Sequence, residues 1–504
     1  MKSEISNLKL SVKSYGCQMN RLDTALVISA LQDAGFSLTA SVKDADVVLI
    51  NTCSVREHAE QRVISQLGHL KHIKINKPDL VVAVIGCMAQ RLGDKLLEHE
   101  AVNIVCGPTQ IPQIAELLKQ ALEKNEKCLA VTEKILLKTS ESQNQTLETF
   151  ESTYGIESST NFHNSTIHSQ YQHDKSLPHH KLRQSSVKIG AGQIPSQAFV
   201  RAMRGCNNFC TYCIVPYVRG PEICRPPDLI IEQIKKLASE GIKQVTLLGQ
   251  TVNSYKYEKN GRTWCLADLL DAAAAIEGIE WLRFVTSYPS EEFFDDILHV
   301  MAASPKVCNY LHLPAQSGSD KILRAMNRHY SAAWYLELLE KARTIVPGIA
   351  IAGDFIVGFP GETEDDFQAT VELLTKARYK NSFIFKYSPR PGTTADKRLK
   401  DTVPPEVKQK RIAALLTVQE KVSGQLSRDF LGNQVKVLVE GLSKKAHINT
   451  AGGKNNPQLV GRTATDYIVV FNGPYSLTGQ FANVKITKTS PLTLFGRLIK
   501  DFDL

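Results

Sequence analysis

Over the first 135 positions, apolar residues fall into short continuous runs separated by amphipathic stretches. That pattern predicts strands buried on both faces and alternating with helices. Residues 8–14, 46–51 and 80–86 predict parallel strands, and 22–34 predict a helix stopped by Gly35. The same alternation returns at residue 198, with predicted strands over 198–203, 244–250, 281–287, 310–314, 349–358 and 382–387. Of the helices between them the clearest is 227–240, with Leu229, Ile230, Ile234, Leu237 and Ala238 on one face and Gly241 as terminator. Six βα units predict a parallel barrel, complete or partial, whose chemistry sits at the carboxyl ends of its strands. A helix over about 405–430 follows, then short strands at 434–440, 458–462, 468–471 and 481–487 around Gly/Asn turns. These predict a small β-barrel.

Between 136 and 197 the pattern lapses. Ser, Thr, Asn, Gln and His dominate, and the stretch holds His163, His168, His173, His179 and His180. Too little apolar surface is available to fold such a segment alone, so it is expected to be a polar flexible linker or insertion. The expected domains are therefore 8–135, 198–430 and 433–500. The fold class is α/β: an open N-terminal α/β sheet, a central partial (β/α) barrel and a small C-terminal β-barrel.

Cysteine placement adds chemistry to this frame. Arg204-Gly-Cys-Asn-Asn-Phe-Cys-Thr-Tyr-Cys sets Cys206, Cys210 and Cys213 on one loop just after the first barrel strand. A structural zinc site wants four ligands, usually as two separated Cys-x2-Cys pairs, and no second pair lies nearby. A [4Fe-4S] cube held by three thiolates keeps one iron open for a small molecule, and soft sulfur donors suit it. Structural zinc or reduced core cysteines are the alternative. Cys17, Cys53 and Cys87 each follow one of the first three predicted strands. Carboxyl ends of parallel strands share one sheet edge, so these three can meet there and hold a second cluster. Singly, such cysteines are small buried hydrophobes.

The trio spacing is that of the radical S-adenosylmethionine (SAM) enzymes, and nearly the whole length of the chain resembles the radical-SAM methylthiotransferases. The resemblance is carried by Gly16-Cys-Gln-Met-Asn20, Asn51-Thr-Cys-Ser-Val-Arg-Glu57 and the stretch Arg204–Gly220, which are closest to the branch acting on isopentenyladenosine in tRNA. It implies a methylthiotransferase N-terminal domain, a radical-SAM domain and a TRAM domain. It also implies two [4Fe-4S] clusters. SAM bound at the Cys206/Cys210/Cys213 cluster would yield a 5′-deoxyadenosyl radical that takes hydrogen from C2 of the adenine. The Cys17/Cys53/Cys87 cluster would carry the sulfur that is methylated and joined to that carbon. By the same resemblance Tyr212 meets the SAM adenine, and Gln250, Ser287, Gln316 and Tyr387 line the barrel mouth. Gly353-Asp-Phe-Ile-Val-Gly-Phe-Pro-Gly-Glu362 follows the family's fifth-strand pattern. One departure is Cys224, where relatives commonly have serine; it reads as a harmless exchange of small side chains.

Charge and composition bear on partners. The chain has 504 residues, net charge +9 and eleven cysteines. From Asn433 onward there are nine Lys/Arg against four acids, so more than half of the net charge lies in the C-terminal barrel. A basic barrel suits a nucleic-acid backbone, and the expected partner is tRNA, through its anticodon loop. No apolar run approaches the ~18 residues that span a bilayer, and the first residues lack a secretory h-region. The expected setting is a reducing cytoplasm, with no membrane, a monomeric chain and an electron donor such as flavodoxin or ferredoxin. The competing readings are methylthiolation of threonylcarbamoyladenosine in tRNA or of a ribosomal protein, and a non-catalytic zinc protein that binds RNA.

Overall fold

The computed structural model describes residues 8–54, 57–124, 126–132, 141–155, 196–290, 294–444, 446, 453 and 455–499. They fall into two compact units. The first holds the residues up to 155 with Phe199–Asn207 and Ile214–Arg225; the second holds the residues before Phe199, Asn208–Cys213 and everything from Pro226 onward.

The first unit is built on β1 (Lys9–Ser14), α1 (Gln18–Asp33), β2 (Ser37–Leu38), β3 (Val47–Thr52), α2 (Glu57–Asn76) and β4 (Val81–Gly86). There follow α3 (Cys87–Leu92), α4 (Asp94–Leu97), β5 (Ile104–Cys106), α5 (Ile114–Lys124), β6 (Cys128–Ala130) and α6 (Glu141–Tyr154). The strands form one parallel sheet in the order β2-β1-β3-β4-β5-β6. Every residue of β3 and β4 is buried, which is why both read as unbroken apolar runs. Their core joins Val48, Ile50, Val82 and Val84 to Val63, Leu67 and Leu70 of α2. In this order the direction of winding reverses between β1 and β3, the switch point at whose carboxyl ends open α/β sheets place their ligands. β2, β5 and β6 escape the sequence pattern because they are two or three residues long. α1 begins at Gln18, a turn earlier than its apolar periodicity, with Cys17 at its N-cap.

The linker expectation needs correction over 141–155. There α6 is a helix with Leu147, Phe150 and Glu151 buried. Its acids pair with arginines: Glu148 binds Arg225 at 2.7 Å, and Glu151 lies 3.5 Å from Arg201. A composition poor in apolar residues concealed a helix fixed by buried ion pairs instead. The rest of the expected linker, apart from 196–197, lies outside the described residues. β7 (Gln197–Arg201), the hairpin of β8 (Met203–Arg204) and β9 (Ile223–Cys224), and α7 (Val215–Arg219) follow.

The second unit continues with α8 (Pro227–Ser239), β10 (Gln244–Leu248), α9 (Leu266–Ala274), β13 (Trp281–Val285), α10 (Phe294–Ala303) and β14 (Tyr310–His312). Between β10 and α9 lies the hairpin of β11 (Lys256–Lys259) and β12 (Arg262–Cys265). Next come α11 (Asp320–Ala325), α12 (Ala332–Ile345), β15 (Ala350–Val357), α13 (Glu364–Ala377), β16 (Asn381–Lys386), α14 (Thr394–Arg398) and α15 (Pro405–Arg428). The amides of Lys243 and Gln244 donate to the carbonyl of Ser196 and set β10 beside the start of β7. β10 pairs with β13, β14 with β15 and β15 with β16, all parallel. A parallel bridge from Leu282 to Val307 spans the step between β13 and β14. The result is the expected partial barrel of βα units. β14 stops at His312 rather than 314.

A closed barrel of five strands ends the chain, in the order β17-β18-β19-β21-β20. Its strands are β17 (Gln434–Leu442), β18 (Gln458–Arg462), β19 (Ile468–Asn472), β20 (Phe481–Thr489) and β21 (Thr493–Leu498). The sequence pattern had supplied all but β21, which closes the ring by pairing parallel to β19 and antiparallel to β20. The turn between β18 and β19 projects Asp466 against cations of the (β/α) barrel. Asp466 Oδ2 lies 2.9 Å from Lys380 Nζ, and Asp466 Oδ1 lies 3.9 Å from Arg283 and 3.0 Å from Arg462. Arg283 also donates to the carbonyls of Thr463 and Ala464. These charges hold the Asp466 carboxyl well below the ordinary carboxylate range despite its burial.

Candidate functional site

In the first unit Cys17, Cys53 and Cys87 stand at the carboxyl ends of three adjacent strands, β1, β3 and β4. The three therefore share one edge of the sheet, with Cys53 hydrogen-bonded to Cys17. Local geometry demands glycine before Cys87. Gly86 has φ +96°, and a Cβ there would lie 2.4 Å from Asn51 Oδ1 and 2.6 Å from the Thr52 carbonyl oxygen. An amide network then ties the strand ends together. Cys17 Sγ donates to Asn20 Oδ1 at 3.2 Å, and Asn20 Nδ2 donates to Asn51 Oδ1 and to the Thr52 carbonyl. Asn51 Nδ2 returns bonds to the Asn20 carbonyl and to Thr24 Oγ1.

The electrostatics favour a thiolate at Cys17 and disfavour one at Cys87. A hydrogen bond from Cys53 draws the Cys17 thiol well below its usual range; burial opposes this and the Arg219 charge assists it. Arg219, at the end of α7, donates from Nε to Cys87 Sγ at 3.3 Å and from Nη2 to Asp23 Oδ2 at 2.8 Å. Asp23 also accepts from Arg201 at 2.6 Å, and all three side chains are nearly inaccessible to solvent. Burial pushes the Cys87 thiol up while Arg219 pulls it down. Sequence reasoning missed Asp23 and Arg201. The available signal was an acid set among apolar neighbours on a buried helix face, where a carboxylate needs a cationic partner.

Cys206 also belongs to the first unit. Its amide donates to the Gly220 carbonyl at 3.1 Å. The preceding Gly205 has φ +77°, and a Cβ there would fall 1.8 Å from the Pro221 carbonyl oxygen. Cys224 lies in the same hairpin, opposite Met203.

Cys210 and Cys213 belong to the second unit. The Thr211 amide and hydroxyl donate to the carbonyls of Met326 and Ala325, and its carbonyl accepts from Ala395. Arg328, which the sequence did not signal, lies over the Tyr288 ring at 4.3 Å and reaches Cys210 Sγ from Nη1 at 3.6 Å. Tyr212 and Tyr387 meet in one apolar cluster with Ile322, Met326, Phe359 and Ala395. At the strand ends, Gln250 Oε1 and Ser287 Oγ are buried polar atoms without a hydrogen-bond partner among the described residues. Gln316 holds φ +72° and bridges β15, donating its amide to the Asp354 carbonyl and accepting from Ile356. Buried orphan polar atoms are costly unless a ligand satisfies them.

Comparison with known proteins places these cysteines in context. Residues 9–107 match the uncharacterized protein family UPF0004, 200–374 the radical SAM superfamily and 428–499 the TRAM domain. A tRNA-2-methylthio-N(6)-dimethylallyladenosine synthase of Parabacteroides distasonis is 38% identical over 493 residues, covering 98% of this chain and 96% of that one. That of Carboxydothermus hydrogenoformans is 40% identical over 489 residues, covering 96% and 98%. The chain belongs to this synthase family.

Among solved structures, the radical S-adenosylmethionine methyltransferase TsrM from Kitasatospora setae, with cobalamin and a [4Fe-4S] cluster bound, shares the fold. Its TM-score is 0.50 at 14% identity, covering 78% of this chain and 77% of that one. In the synthase frame, the first three cysteines lie in the UPF0004 region and the later trio in the radical SAM region.

The donor sets suit iron–sulfur clusters. Among the described residues no three His, Cys, Asp or Glu side chains close around a single metal ion. Thiolates of a four-iron cube sit on separate irons, so the test is donor chemistry: each set offers three soft sulfurs, and an arginine lies within reach of one of them, Arg219 of Cys87 and Arg328 of Cys210. Cys106 and Cys308 differ. Burial pushes their thiols up to about 12 and about 11, as expected of packing residues. Cys265 has a structural task that its sequence did not suggest, capping α9 through Asp268. Among the described residues no helix is long and apolar enough to cross a membrane.

Proposed function

We propose that this chain converts N6-isopentenyladenosine, next to the anticodon at the position 37 class of site in tRNA, to its 2-methylthio derivative. The observation that carries this reading is the pairing of two three-cysteine sets, one at the carboxyl edge of the α/β sheet and one on the barrel loop, within a chain of the synthase family. In net terms a C2–H bond is exchanged for a C2–S bond. One SAM, cleaved with an electron from the reductant, would carry the hydrogen away as 5′-deoxyadenosine and release methionine; the sulfur would come from sulfide, the methyl group from a second SAM that leaves as S-adenosylhomocysteine, and the electron released when the C2–S bond forms would return to an iron–sulfur centre.

Cys206, Cys210 and Cys213 would hold one [4Fe-4S] cluster, and Cys17, Cys53 and Cys87 the other. Bound SAM and reduced iron–sulfur centres supply the radical and sulfur chemistry that side chains lack. The chain's own residues orient and enclose. Tyr212, packed with Tyr387, would wall the SAM site, while Gln250, Ser287 and Gln316 offer polar atoms and backbone at the strand ends. Arg219 and Arg328 place positive charge on Cys87 and Cys210. The exposed Lys485 and Arg497 lie directly opposite each other on β20 and β21 and give the terminal barrel a cationic face for the tRNA backbone. The reading includes a one-electron donor such as flavodoxin or ferredoxin, a monomeric chain and a cytoplasmic setting.

The test uses anaerobically reconstituted protein with SAM, reductant, sulfide and tRNA bearing isopentenyladenosine, digested and analysed by mass spectrometry. The expected product is the 2-methylthio nucleoside. Cys206→Ala should abolish 5′-deoxyadenosine formation, whereas Cys53→Ala should retain it and lose the product. Product formation by either variant would overturn the two-cluster assignment. SAM cleavage by the parent enzyme without this product would redirect the substrate to threonylcarbamoyladenosine or a ribosomal protein.

A further inference from the structure

The (β/α) barrel carries an ionisable pair that none of the roles above uses. Along β14 and β15 the side chains alternate. Leu311 and Phe355 are wholly buried, and Phe355 packs against Tyr379 just before β16. The opposite row carries Tyr310, His312, Asp354 and Phe383; Asp354 lies directly across from Phe383, and Tyr310, at the start of the row, packs with the terminal-barrel core. His312 Nε2 meets Asp354 Oδ1 at 3.1 Å. The two side chains remain 14% and 23% exposed, so the pair borders open space rather than packed core. Among the described residues none bonds His312 Nδ1.

Backbone contacts fix this pair to the mouth. The Ser287 amide donates to the His312 carbonyl at 3.3 Å, and the Gln316 amide donates to the Asp354 carbonyl at 2.8 Å. The pair therefore sits one hydrogen bond from two of the residues assigned to the mouth. The Phe383 ring stands edge-on to the imidazole, with centroids 6.3 Å apart. A ring nitrogen beside an aromatic edge matches a planar heterocycle with in-plane lone pairs. Adenine is such a heterocycle, and its C2 lies between two acceptor nitrogens, N1 and N3. A donor on either nitrogen fixes the direction of the C2–H bond.

We infer that His312, oriented by Asp354, is the residue that positions the substrate base, placing Nδ1–H on a ring nitrogen next to C2. With Nε2–H committed to Asp354, the second ring nitrogen is presented in a fixed direction, as in other carboxylate-oriented histidines. Burial disfavours the charged ring, but the Asp354 carboxylate, with Asp466 beyond it, outweighs burial and raises the His312 pKa. Nδ1 therefore carries a proton over a wider pH range than an ordinary histidine would allow. The inference rests on the adenine substrate proposed above.

The test compares wild type, His312→Ala and His312→Asn, each reconstituted with both clusters, on an anticodon stem-loop bearing isopentenyladenosine. The readout is the ratio of 5′-deoxyadenosine formed to methylthio product formed. A misplaced base leaves the radical without its target, and misplacement of about 1 Å costs ~100-fold. The ratio should therefore rise about 100-fold in His312→Ala. Because the Asn amide nitrogen occupies the place of Nδ1, His312→Asn should recover much of the coupling. Iron, sulfide and Tm close to wild type show that the variants are folded and loaded. A wild-type ratio in His312→Ala would overturn the inference and leave the proposed reaction standing. Equal loss in Ala and Asn, with lowered iron and Tm, would assign His312 a structural role and overturn it as well. Wild type that cleaves SAM but yields no 2-methylthio nucleoside would overturn the substrate reading, and the base-positioning role with it.

Discussion

Arg219 Nε donates to Cys87 Sγ at 3.3 Å while Nη2 of the same guanidinium donates to Asp23 Oδ2 at 2.8 Å. One planar cation thus serves a prospective cluster ligand and a buried acid together. Lysine, a point donor, cannot hold both in that geometry.

Removing that cation strands charge. In Arg219→Ala, Asp23 keeps only Arg201, and breaking a buried pair from one side costs about 3–5 kcal/mol. Urea denaturation should show this loss, and reconstituted iron per chain should fall from the N-terminal cluster. Arg219→Lys should recover part of the stability. Unchanged stability in Arg219→Ala would mean that solvent or Arg201 already satisfies Asp23.

The bend before Cys206 admits only glycine. With φ +77° and the Pro221 carbonyl oxygen 1.8 Å from the Cβ position, Gly205→Ala must move the loop that carries the first thiolate of the trio. Conformational strain alone costs about 1–3 kcal/mol. Thermal melting should record the loss, and the iron–sulfur absorbance of the C-terminal trio should weaken. A wild-type melt would mean that the hairpin shifts freely.

Lys380 makes stability rise with alkaline pH. Burial lowers its pKa to about 8, with Asp466 opposing that fall. The unfolded lysine titrates near 10.4. Between about pH 8 and pH 10 the unfolded chain therefore binds more protons than the folded one, and folding strengthens as pH rises. Compared with Lys380→Met, the wild type should gain about 1–2 kcal/mol across that window in denaturant titrations. Parallel stability curves for the two proteins would contradict the assignment.

Lys485 and Arg497 oppose each other across β20 and β21. Like charges directly opposite destabilise a sheet, by roughly 0.2–1 kcal/mol relative to a neutral pair. Lys485→Gln should therefore stabilise the terminal barrel slightly while weakening tRNA binding at every sequence. The slope of log K against log salt should fall by about 1. Fluorescence anisotropy over a salt series measures it, and an unchanged slope would move the phosphate contact elsewhere.

Much of this arrangement is legible in the sequence. β3 and β4 are buried on both faces, so their composition alone marks them, and Cys53 and Cys87 follow directly from where they end. β2, β5 and β6 were not legible, because a strand of two or three residues carries no periodicity. α6 was hidden for another reason. Its anchorage is ionic, through Glu148 and Glu151, and pairing of charges distant in sequence leaves no local pattern. The same limit applies at the sites. Cys-x3-Cys-x2-Cys announces itself, but Asp23, Arg201 and Arg328 acquire meaning only from what the fold sets beside them.

Asp466 makes the boundary near residue 430 a seam in composition only. Its carboxylate neutralises Lys380 and approaches Arg283, two cations rooted in strands or strand starts of the preceding barrel. A chain cut at that seam would leave a buried ammonium and a buried guanidinium without their counter-charge, and the excised barrel would carry an acid with only Arg462 beside it. The terminal barrel is therefore no interchangeable attachment: grafting in a relative's RNA-gripping barrel would succeed only if the graft brought an acid to the same turn.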